Sequence, residues 1–423
     1  MDRRSFVATL GGLPFVLSAG ASLRAREASE AVAGQPAEKV ALNEEYWLSI
    51  RRAFALDANH VNLNSGSVSP APRAVADAME RYWTLTNMSP SFLVDDYVIP
   101  GVEMVRRRLA AMLACSTEEL ALTRNTSESL MIAQMGLDLA RGDEVVSTNQ
   151  DYGRMNTAWR QRERRDGVVL KLVSYPTPPP SMDTLYERVF SAVTPRTKVI
   201  LISHITYTTG QIFPVKKICD EARRRGIFTI VDGGHSFAHF PFTVADLGCD
   251  VYGSSLHKWL CAPVGTGLLY MRREVIPRVW PLMAAGPGMD DNIKKFEQIG
   301  THPWALRAAV SDAITFHEEI GGERKAARLR FLRERWMRAL ADVPGVRLWT
   351  SMDPAQACAI GSMSLEGIAA SALVEQLQSR WGIHVRRRRV GDEGECVRVT
   401  PNVFTKLDEI DLFVEAIRTL AKK

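Results

Sequence analysis

A regular alternation of helical stretches with short β-rich runs, beginning near Pro70, limits this 423-residue chain to few architectures. Such alternation predicts a largely parallel sheet that is flanked by helices. We therefore expect an α/β fold with one large lobe. The β-rich runs lie at Glu144 to Ser147, Val168 to Leu172, Lys198 to Ser203, Ile227 to Val231, Val251 to Gly253 and Gly267 to Met271.

The sequence changes in character after Pro303, where long, strongly charged helical stretches are followed by short strands. A chain of about 400 residues is too long for one simple core, so two lobes are expected. We predict a large domain over residues 63–302 and a smaller C-terminal α+β domain over residues 303–423.

Lys258 lies in an unusually apolar setting for a lysine. Trp259 to Val264 follow it, and Ser254, Ser255 and His257 precede it. Lysine ammonium groups are strongly hydrated and normally lie at the surface. Burial would lower the pKa of this amine and leave it free to act as a nucleophile.

Asp232 ends a short apolar run, Ile227 to Val231, and is followed by two glycines. This pattern places the carboxylate at the carboxyl end of a predicted strand, where the ligands of open α/β sheets bind. A lysine that anchors an aldehyde and a carboxylate that pairs with a ring nitrogen are the arrangement expected for pyridoxal phosphate.

The stretches VDGGHSFAHF and VYGSSLHKWLCAPVGTGLLY resemble those of the class V aminotransferase family, in its isopenicillin N epimerase-like branch. The likeness runs from about Asn62 to the C-terminus. It implies the fold type I architecture, pyridoxal 5'-phosphate as cofactor, and Lys258 and Asp232 as catalytic residues. It also implies a small-molecule amine or amino acid as substrate. In the family the small lobe is built partly from an N-terminal helix, so the segment 39–62, with a helix at Glu44 to Leu56, is expected to pack with that lobe.

The resemblance implies further contacts with the cofactor. His235 is expected to contact the phenolic oxygen, and Ser255 and His257 the phosphate. Tyr152 is expected to stack on one face of the ring, where desulfurase-like relatives have a histidine. A helix start in LTRNTSESLMIAQMGL matches the phosphate-binding turn of the family.

At that helix start, Thr126 and Ser127 are the expected phosphate contacts. Either Asn125 or Thr126 is able to cap the helix, whose unpaired N–H groups and dipole form an anion site. Thr126 and Ser127 gain this role from the resemblance, since the pattern alone indicates an ordinary N-cap.

Two further stretches of the chain match positions near the cofactor in the family. Where the family has an asparagine or a small polar residue near the cofactor, this chain has Thr206 and Tyr207, and which of them makes the contact stays open. Gly300 and Thr301 match residues that reach the phosphate of the neighbouring subunit, which implies a homodimer.

Arg398 matches the arginine that binds the substrate α-carboxylate in the family, a role that suits the rigid fork of a guanidinium. By composition alone it is equally a surface strand arginine. Most of the run Arg386 to Arg389 is expected to be solvated or paired with acids, with one member able to face the site and bind a distal acid group of the substrate.

The six cysteines are scattered and contain no C-x-x-C pair, so they predict neither a disulfide framework nor a zinc site. Cysteine desulfurases carry a nucleophilic cysteine about fifteen residues before the carboxylate arginine. This chain has Gly382, Ile383 and His384 there, and Cys396 is expected to pack in the core. Persulfide chemistry is therefore disfavoured.

The N-terminus carries the pattern of a twin-arginine export signal. Arg3 and Arg4 precede an apolar stretch from Phe6 to Leu17 and an A-x-A cleavage pattern at Ala19 to Ala21. The apolar stretch is too short to span a membrane. We expect a periplasmic or secreted protein, with residues 1–38 forming the signal and a flexible leader that starts at Ser22.

The formal net charge of +5 is mild for this length and does not indicate nucleic-acid binding. The leading hypothesis is an epimerase-like or lyase-like enzyme acting on an amino acid or a peptide-like amine. A true aminotransferase is the first alternative. The second is an exported protein that binds the cofactor without catalysis, although such a protein has no need for Lys258, Asp232, His235 and Arg398 together.

Overall fold

The structure is a computed structural model that describes residues 21–422, so the predicted export signal with Arg3 and Arg4 lies outside the described residues. The α-helices are α1 Ala21–Ala31, α2 Ala37–Ala41, α3 Glu44–Arg51, α4 Arg73–Met88, α5 Pro90–Leu93, α6 Ile99–Leu113, α7 Thr126–Gly136, α8 Gly153–Asp166, α9 Met182–Ser191, α10 Val215–Arg224, α11 Val244–Leu247, α12 Trp304–Ala308, α13 Val310–Ile320, α14 Gly322–Leu340, α15 Ala370–Trp381 and α16 Leu407–Ala421. A π-helical turn covers Val94–Val98, and 3₁₀ turns cover Thr117–Glu119, Arg273–Arg278 and Ile293–Glu297.

The strands form three sheets. They are β1 Val61–Asn62, β2 Leu120–Thr123, β3 Glu144–Thr148, β4 Val169–Val173, β5 Thr197–Ser203, β6 Phe228–Asp232, β7 Val251–Ser255, β8 Gly267–Met271, β9 Val346–Leu348, β10 Gly361–Leu365, β11 Ile383–His384, β12 Arg386–Val390 and β13 Gly394–Val399. The six predicted β-rich runs coincide with β3 to β8, with ends that differ by at most two residues.

The central sheet has seven strands in the order β2-β8-β7-β6-β5-β3-β4. β8 is antiparallel to both of its neighbours, and the other pairs are parallel. Six strands therefore point in one direction, and their carboxyl ends share one edge of the sheet. This edge is where an open α/β sheet binds ligands.

Both faces of the central sheet are covered, which explains its nearly continuous apolar strands. Every residue of β6 and β7 is buried. Val231 and Ile202 contribute to the core on one face, and Ile230 and Leu201 to the core on the other. Alternate residues thus pack against helices on opposite sides, as expected for parallel sheets.

The smaller lobe contains a four-stranded antiparallel sheet in the order β12-β13-β10-β9. Its core includes Trp336 of α14, Leu373 of α15 and Phe413 of α16. β1 pairs with β11 in parallel, which joins the start of the large lobe to the small one. Strand β12, the four-arginine run, had no apolar period from which a strand could be predicted.

The N-terminal segment differs from the expected flexible leader over Ser22 to Glu38. The chain there forms α1 and α2, and Ala25 and Val32 are buried in one cluster with Trp47 of α3. Alanine has a high helix propensity, and Arg26 pairs with Glu30 one turn later at 3.0 Å. Tertiary packing thus stabilises helices in a stretch whose apolar residues show no clear helical repeat.

The packing around residue 303 also differs from the expected domain division. Ala308, Val310 and Ile314, from α12 and α13, belong to the core of the large lobe. The core of the small lobe begins only with Leu332 of α14 in this part of the chain. The high charge content after Pro303 suggested that all of these helices belong to the small lobe. Their apolar faces instead pack α12 and α13 on the large lobe and the later part of α14 on the small lobe. Among residues 21–422, no helix combines the length and apolarity needed to cross a membrane.

Candidate active site

A cavity of ≈ 410 Å³ lies at the carboxyl edge of the central sheet, between the two lobes. Its walls come from the segments after β2, β3, β5, β6 and β7 and from β12 and β13 of the small lobe. The lining residues are Gly66, Ser67, Asn125, Thr126, Ser127, Tyr152, Ser203, Ile205, Tyr207, Asp232, His235, Ser255, His257, Lys258, Val264, Gly265, Arg388 and Arg398.

Lys258 follows β7 and points its amine towards His235. The distance from Lys258 Nζ to His235 Nε2 is 3.4 Å. Burial is the main cause that lowers the pKa of Lys258 to about 8, and Arg398 and Arg388 lower it further while Asp232 opposes them. A substantial part of the amine is therefore neutral near pH 8, as a nucleophile must be.

Asp232 is buried at the end of β6, and its Oδ1 accepts the Gly234 N–H at 2.8 Å. Burial raises the pKa of this carboxyl to about 6, and the nearby Asp151 adds to the rise, whereas the Gly234 N–H and Lys258 oppose it. A cationic group beside Asp232 would stabilise its charged form. The protonated ring nitrogen of pyridoxal phosphate is such a group.

Gly234 shows how closely the site residues converge. A Cβ added there would lie 3.0 Å from Asp232 Oδ1, 3.1 Å from Thr126 Oγ1 and 3.4 Å from Lys258 Nζ. A side chain at this position would therefore crowd three polar groups of the site. A glycine leaves the space among them free for a ligand.

The start of α7 provides an anion site next to these groups. Asn125 is the N-cap, since its Oδ1 accepts the Glu128 N–H at 2.9 Å. Thr126 donates its N–H to Ser255 Oγ at 2.9 Å, and the two hydroxyl oxygens lie 2.8 Å apart. Helix N-termini bind phosphate through unpaired N–H groups and the dipole, so this end of the cavity suits the cofactor phosphate.

Two histidines complete the cofactor end of the cavity. His235 is buried, and its Nδ1 has no hydrogen-bond partner among the described residues. Burial, followed by Lys258, lowers the pKa of His257 to about 4, and burial holds the pKa of His235 well below its usual value. Both rings are thus neutral hydrogen-bonding groups. An amine, a carboxylate, two histidines and a phosphate-type helix start fit pyridoxal phosphate.

Arg398 lies fully buried in β13 on the opposite side of the cavity. Its Nη1 donates to Tyr207 O at 2.8 Å, and its Nη2 donates to Asn64 Oδ1 and Ser67 Oγ, each at 2.9 Å. Burial, and next the charge of Arg388, lower the pKa of Arg398 to about 9. Asn64 and Ser67 were not predicted; the only signal was the short run of polar and small residues, Asn64 to Ser67, shortly after β1.

The segment after β5 corrects one expected cofactor contact. Thr206 is completely buried and does not line the cavity. Its Oγ1 accepts the Gln211 N–H at 3.1 Å and lies 3.0 Å from Thr209 Oγ1. Ile205 and Tyr207, its neighbours in the chain, face the cavity instead. Thr206 opens a turn, in which its N–H donates to Gln211 O at 2.9 Å and its carbonyl oxygen accepts the Gly210 N–H at 3.1 Å, and this turn directs its hydroxyl away from the cavity.

Tyr152 lines the cavity and is 39% exposed, which leaves its ring face accessible. It stands edge-on to Tyr207, with ring centroids 5.3 Å apart and an interplanar angle of 74°. Gly300 and Thr301 are exposed and do not line the cavity of their own chain. The predicted contact of these two residues with a neighbouring subunit stays a prediction.

We expect the cofactor-free protein to take up pyridoxal phosphate covalently at a rate that rises with pH and levels off above about pH 8. The neutral amine is the attacking species, and burial lowers the pKa of Lys258 to about 8. A solvent-exposed lysine would give a midpoint above about 10. Stopped-flow absorbance across this pH range measures the midpoint, and a value near that of an exposed lysine would contradict the assigned environment.

Comparisons with known proteins found a matching family and similar chains. A family model described as aminotransferase class-V matches residues 61–405. The chain is 30% identical over 397 residues to isopenicillin N epimerase of Amycolatopsis lactamdurans, a match that covers 89% of this chain and 99% of the relative. It is 26% identical over 398 residues to a probable cysteine desulfurase of Methanothermobacter thermautotrophicus, covering 88% and 97%.

Among solved structures, the apo cysteine desulfurase from Thermococcus onnurineus NA1 superposes with a TM-score of 0.78 at 21% identity. The match covers 88% of this chain and 97% of that one. The predicted fold type I architecture, a large lobe with a mainly parallel sheet and a smaller C-terminal lobe, is confirmed.

Proposed function

Because the chain belongs to the aminotransferase class-V family, we propose that it acts at Cα of an amino acid or a small peptide-like amine, in an epimerase-like or C–S/β-lyase-like reaction. It is a pyridoxal phosphate-dependent enzyme. The observation that carries the proposal is the convergence of Lys258, Asp232 and Arg398 on one cavity.

Each of these residues has a distinct task in the proposed reaction. Bound pyridoxal phosphate supplies an aldehyde that takes the substrate amine and an electron-poor ring that weakens the bonds at Cα. Arg398 binds the substrate α-carboxylate, and Asp232 holds the positive charge of the ring nitrogen. Lys258 Nζ removes the proton from Cα as general base, which its lowered pKa permits at mild pH.

The cysteines of the chain argue for these reactions rather than for persulfide transfer. Cys396, the cysteine nearest to Arg398 in sequence, is buried against Trp349 and Val390. Burial raises the pKa of its thiol to about 12, so it is a poor nucleophile. Within residues 21–422, no cysteine lines the cavity.

The decisive experiment incubates the cofactor-loaded protein in D₂O with a panel of D- and L-amino acids while the visible spectrum is recorded. A spectral response with deuterium at Cα and inversion supports an epimerase, and release of a β-substituent supports a lyase. Accumulation of pyridoxamine phosphate without an oxo acid acceptor would favour the aminotransferase alternative. A protein that stays colourless with added cofactor would contradict the enzyme assignment.

We also propose that two copies of the chain form the working unit. Gly300 and Thr301 support this, since they match the phosphate-contacting residues of the family, are exposed, and do not line their own cavity. Analytical ultracentrifugation of the cofactor-loaded protein tests the proposal, and a monomer at micromolar concentration would contradict it.

Export by the twin-arginine route, to the periplasm or the outside, is a further part of the proposal. It is supported by Arg3, Arg4 and the apolar stretch Phe6 to Leu17. That route exports folded proteins, which suits an enzyme that takes up its cofactor before export. Replacing both arginines by lysine should leave the protein in the cytoplasm, as cell fractionation would detect.

A further inference from the structure

Two guanidinium groups in the cavity share one hydroxyl oxygen. Arg398 Nη2 donates to Ser67 Oγ at 2.9 Å, and Arg388 Nη2 donates to the same atom at 3.3 Å. The strand register explains this, because Arg386 of β12 lies opposite Arg398 of β13. Arg388 is two residues further along and therefore points to the same face of the sheet.

Neither of these guanidinium groups has a carboxylate partner within the described part of the chain. Arg388 makes its other contacts with the carbonyl oxygen of Arg387 at 3.1 Å and with the Tyr207 ring, 5.7 Å from the centroid. The Nε atoms of Arg388 and Arg398 are buried and have no hydrogen-bond partner among the described residues. Each therefore keeps an unused donor inside the molecule.

Two other arginines of this protein show the usual compensation by carboxylates. Buried Arg106 forms ion pairs with Glu103 and Glu297. Arg387, whose side chain leaves β12 on the opposite face, pairs with Glu395. Two like charges placed close together and partly desolvated are unfavourable unless an anion accompanies them.

We propose, as an extension of the proposed function on which it rests, that the substrate is an acidic amino acid or peptide-like amine with a second carboxylate. Arg398 binds the α-carboxylate, and Arg388 binds the distal carboxylate. Both guanidinium groups keep donors free for this purpose, and Ser67 fixes their relative position. The substrate then supplies the negative charge that residues 21–422 do not place beside these two arginines.

A competing arrangement has both arginines binding a single α-carboxylate. The two arrangements differ in the relative affinity that they predict for a carboxylate ligand and for its amide, which has a similar size. If Arg388 binds a distal carboxylate, glutamate must bind more tightly than glutamine, and the difference must depend on Arg388. If both arginines bind the α-carboxylate, loss of Arg388 weakens the two ligands equally.

The test measures apparent Kd values of the cofactor-loaded protein for glutamate and glutamine, and for the aspartate/asparagine pair, in both enantiomers, by visible-absorbance titration. Isothermal titration calorimetry with glutarate and its monoamide, which have no amine, examines the same site without any reaction. The variants are Arg388→Gln, Arg398→Gln and the matched control Arg387→Gln, which removes an equal charge from the opposite face of the same strand.

We expect the unsubstituted protein to prefer at least one acid over its amide, and glutarate over its monoamide, by roughly 10- to 100-fold, as for a hydrogen-bonded charge pair. Arg388→Gln should abolish these preferences while leaving amide binding within about twofold. Arg398→Gln should weaken acid and amide together. Arg387→Gln should change neither, because an exposed ion pair has little energetic weight.

Equal binding of acid and amide by the unsubstituted protein, or an equal loss for both in Arg388→Gln, would overturn the inference while leaving the proposed function intact. If no amino acid changes the spectrum, the proposed function fails and the assignment of an amino-acid substrate fails with it. In that case, the calorimetric preference for glutarate still decides whether the two arginines form a dicarboxylate site.

Discussion

Lys258→Ala is expected to abolish covalent attachment of pyridoxal phosphate and to lower turnover by about 10²- to 10⁴-fold, the range for loss of a general base. The variant removes both the amine that anchors the cofactor and the group that takes the Cα proton. Borohydride reduction followed by peptide mass spectrometry measures attachment at residue 258, and steady-state kinetics on the substrate found in the amino-acid panel measure turnover.

Two controls make this result specific. Lys258→Arg keeps a positive charge of similar reach but carries no amine that is neutral near pH 8, so it should be as inactive as the alanine variant. Circular dichroism and thermal unfolding should show that both variants fold, since the lysine amine makes one contact of 3.4 Å with His235. Full activity of Lys258→Ala would contradict the assigned role.

Asp232→Asn is expected to keep the cofactor attached to Lys258 and still to lower turnover by about 10²- to 10³-fold, the range for loss of one preorganised electrostatic partner. The amide has nearly the shape of the carboxylate and can accept the Gly234 N–H as before. It cannot hold positive charge on the ring nitrogen, so the ring withdraws electrons less strongly. The cofactor absorbance and the kinetics together separate binding from reactivity.

Asp250→Asn is the matched control for this variant. Asp250 is also buried, but it precedes β7 at the amino end of the sheet, where it accepts the Thr229 N–H at 2.8 Å and pairs with Arg272 at 2.6 Å. We expect lower thermal stability and unchanged turnover, because a partly buried ion pair is lost far from the cavity. A fall in turnover equal to that of Asp232→Asn would remove the special role of Asp232.

Local sequence patterns were sufficient for strands β3 to β8 of the central sheet, although not for β2, and for the strand ends that carry Asp232 and Ser255. The runs at β3 to β8 are short, apolar and bounded by turn residues, so each strand could be recognised within its own few residues. Asp232 and Ser255 end two of these strands. Since the carboxyl ends of parallel strands lie at one edge of the sheet, locating the strand ends was enough to predict that these side chains lie close together.

Patterns failed where the structure depends on parity or on distant packing. Thr206 and Tyr207 differ by one position, and the turn that begins there decides which of them faces the cavity. In β12, parity places both Arg386 and Arg388 on one face, and tertiary packing decides that Arg388 lines the cavity. Helices α12 and α13 resemble small-lobe helices in charge but pack on the large lobe, because apolar contacts from distant segments outweigh composition.

The sequence by itself determined that Lys258 lies in an apolar setting and that Asp232 ends a strand, because both features are local. The role expected of Arg398 rests on its match to the family. The tertiary structure alone decided how the substrate end of the cavity is built. Arg398 meets Asn64 across 334 residues, and it meets Arg388 at Ser67. Such contacts arise from the pairing of β1 with β11 and of β12 with β13, and no short stretch of sequence contains the information about which distant strands will pair.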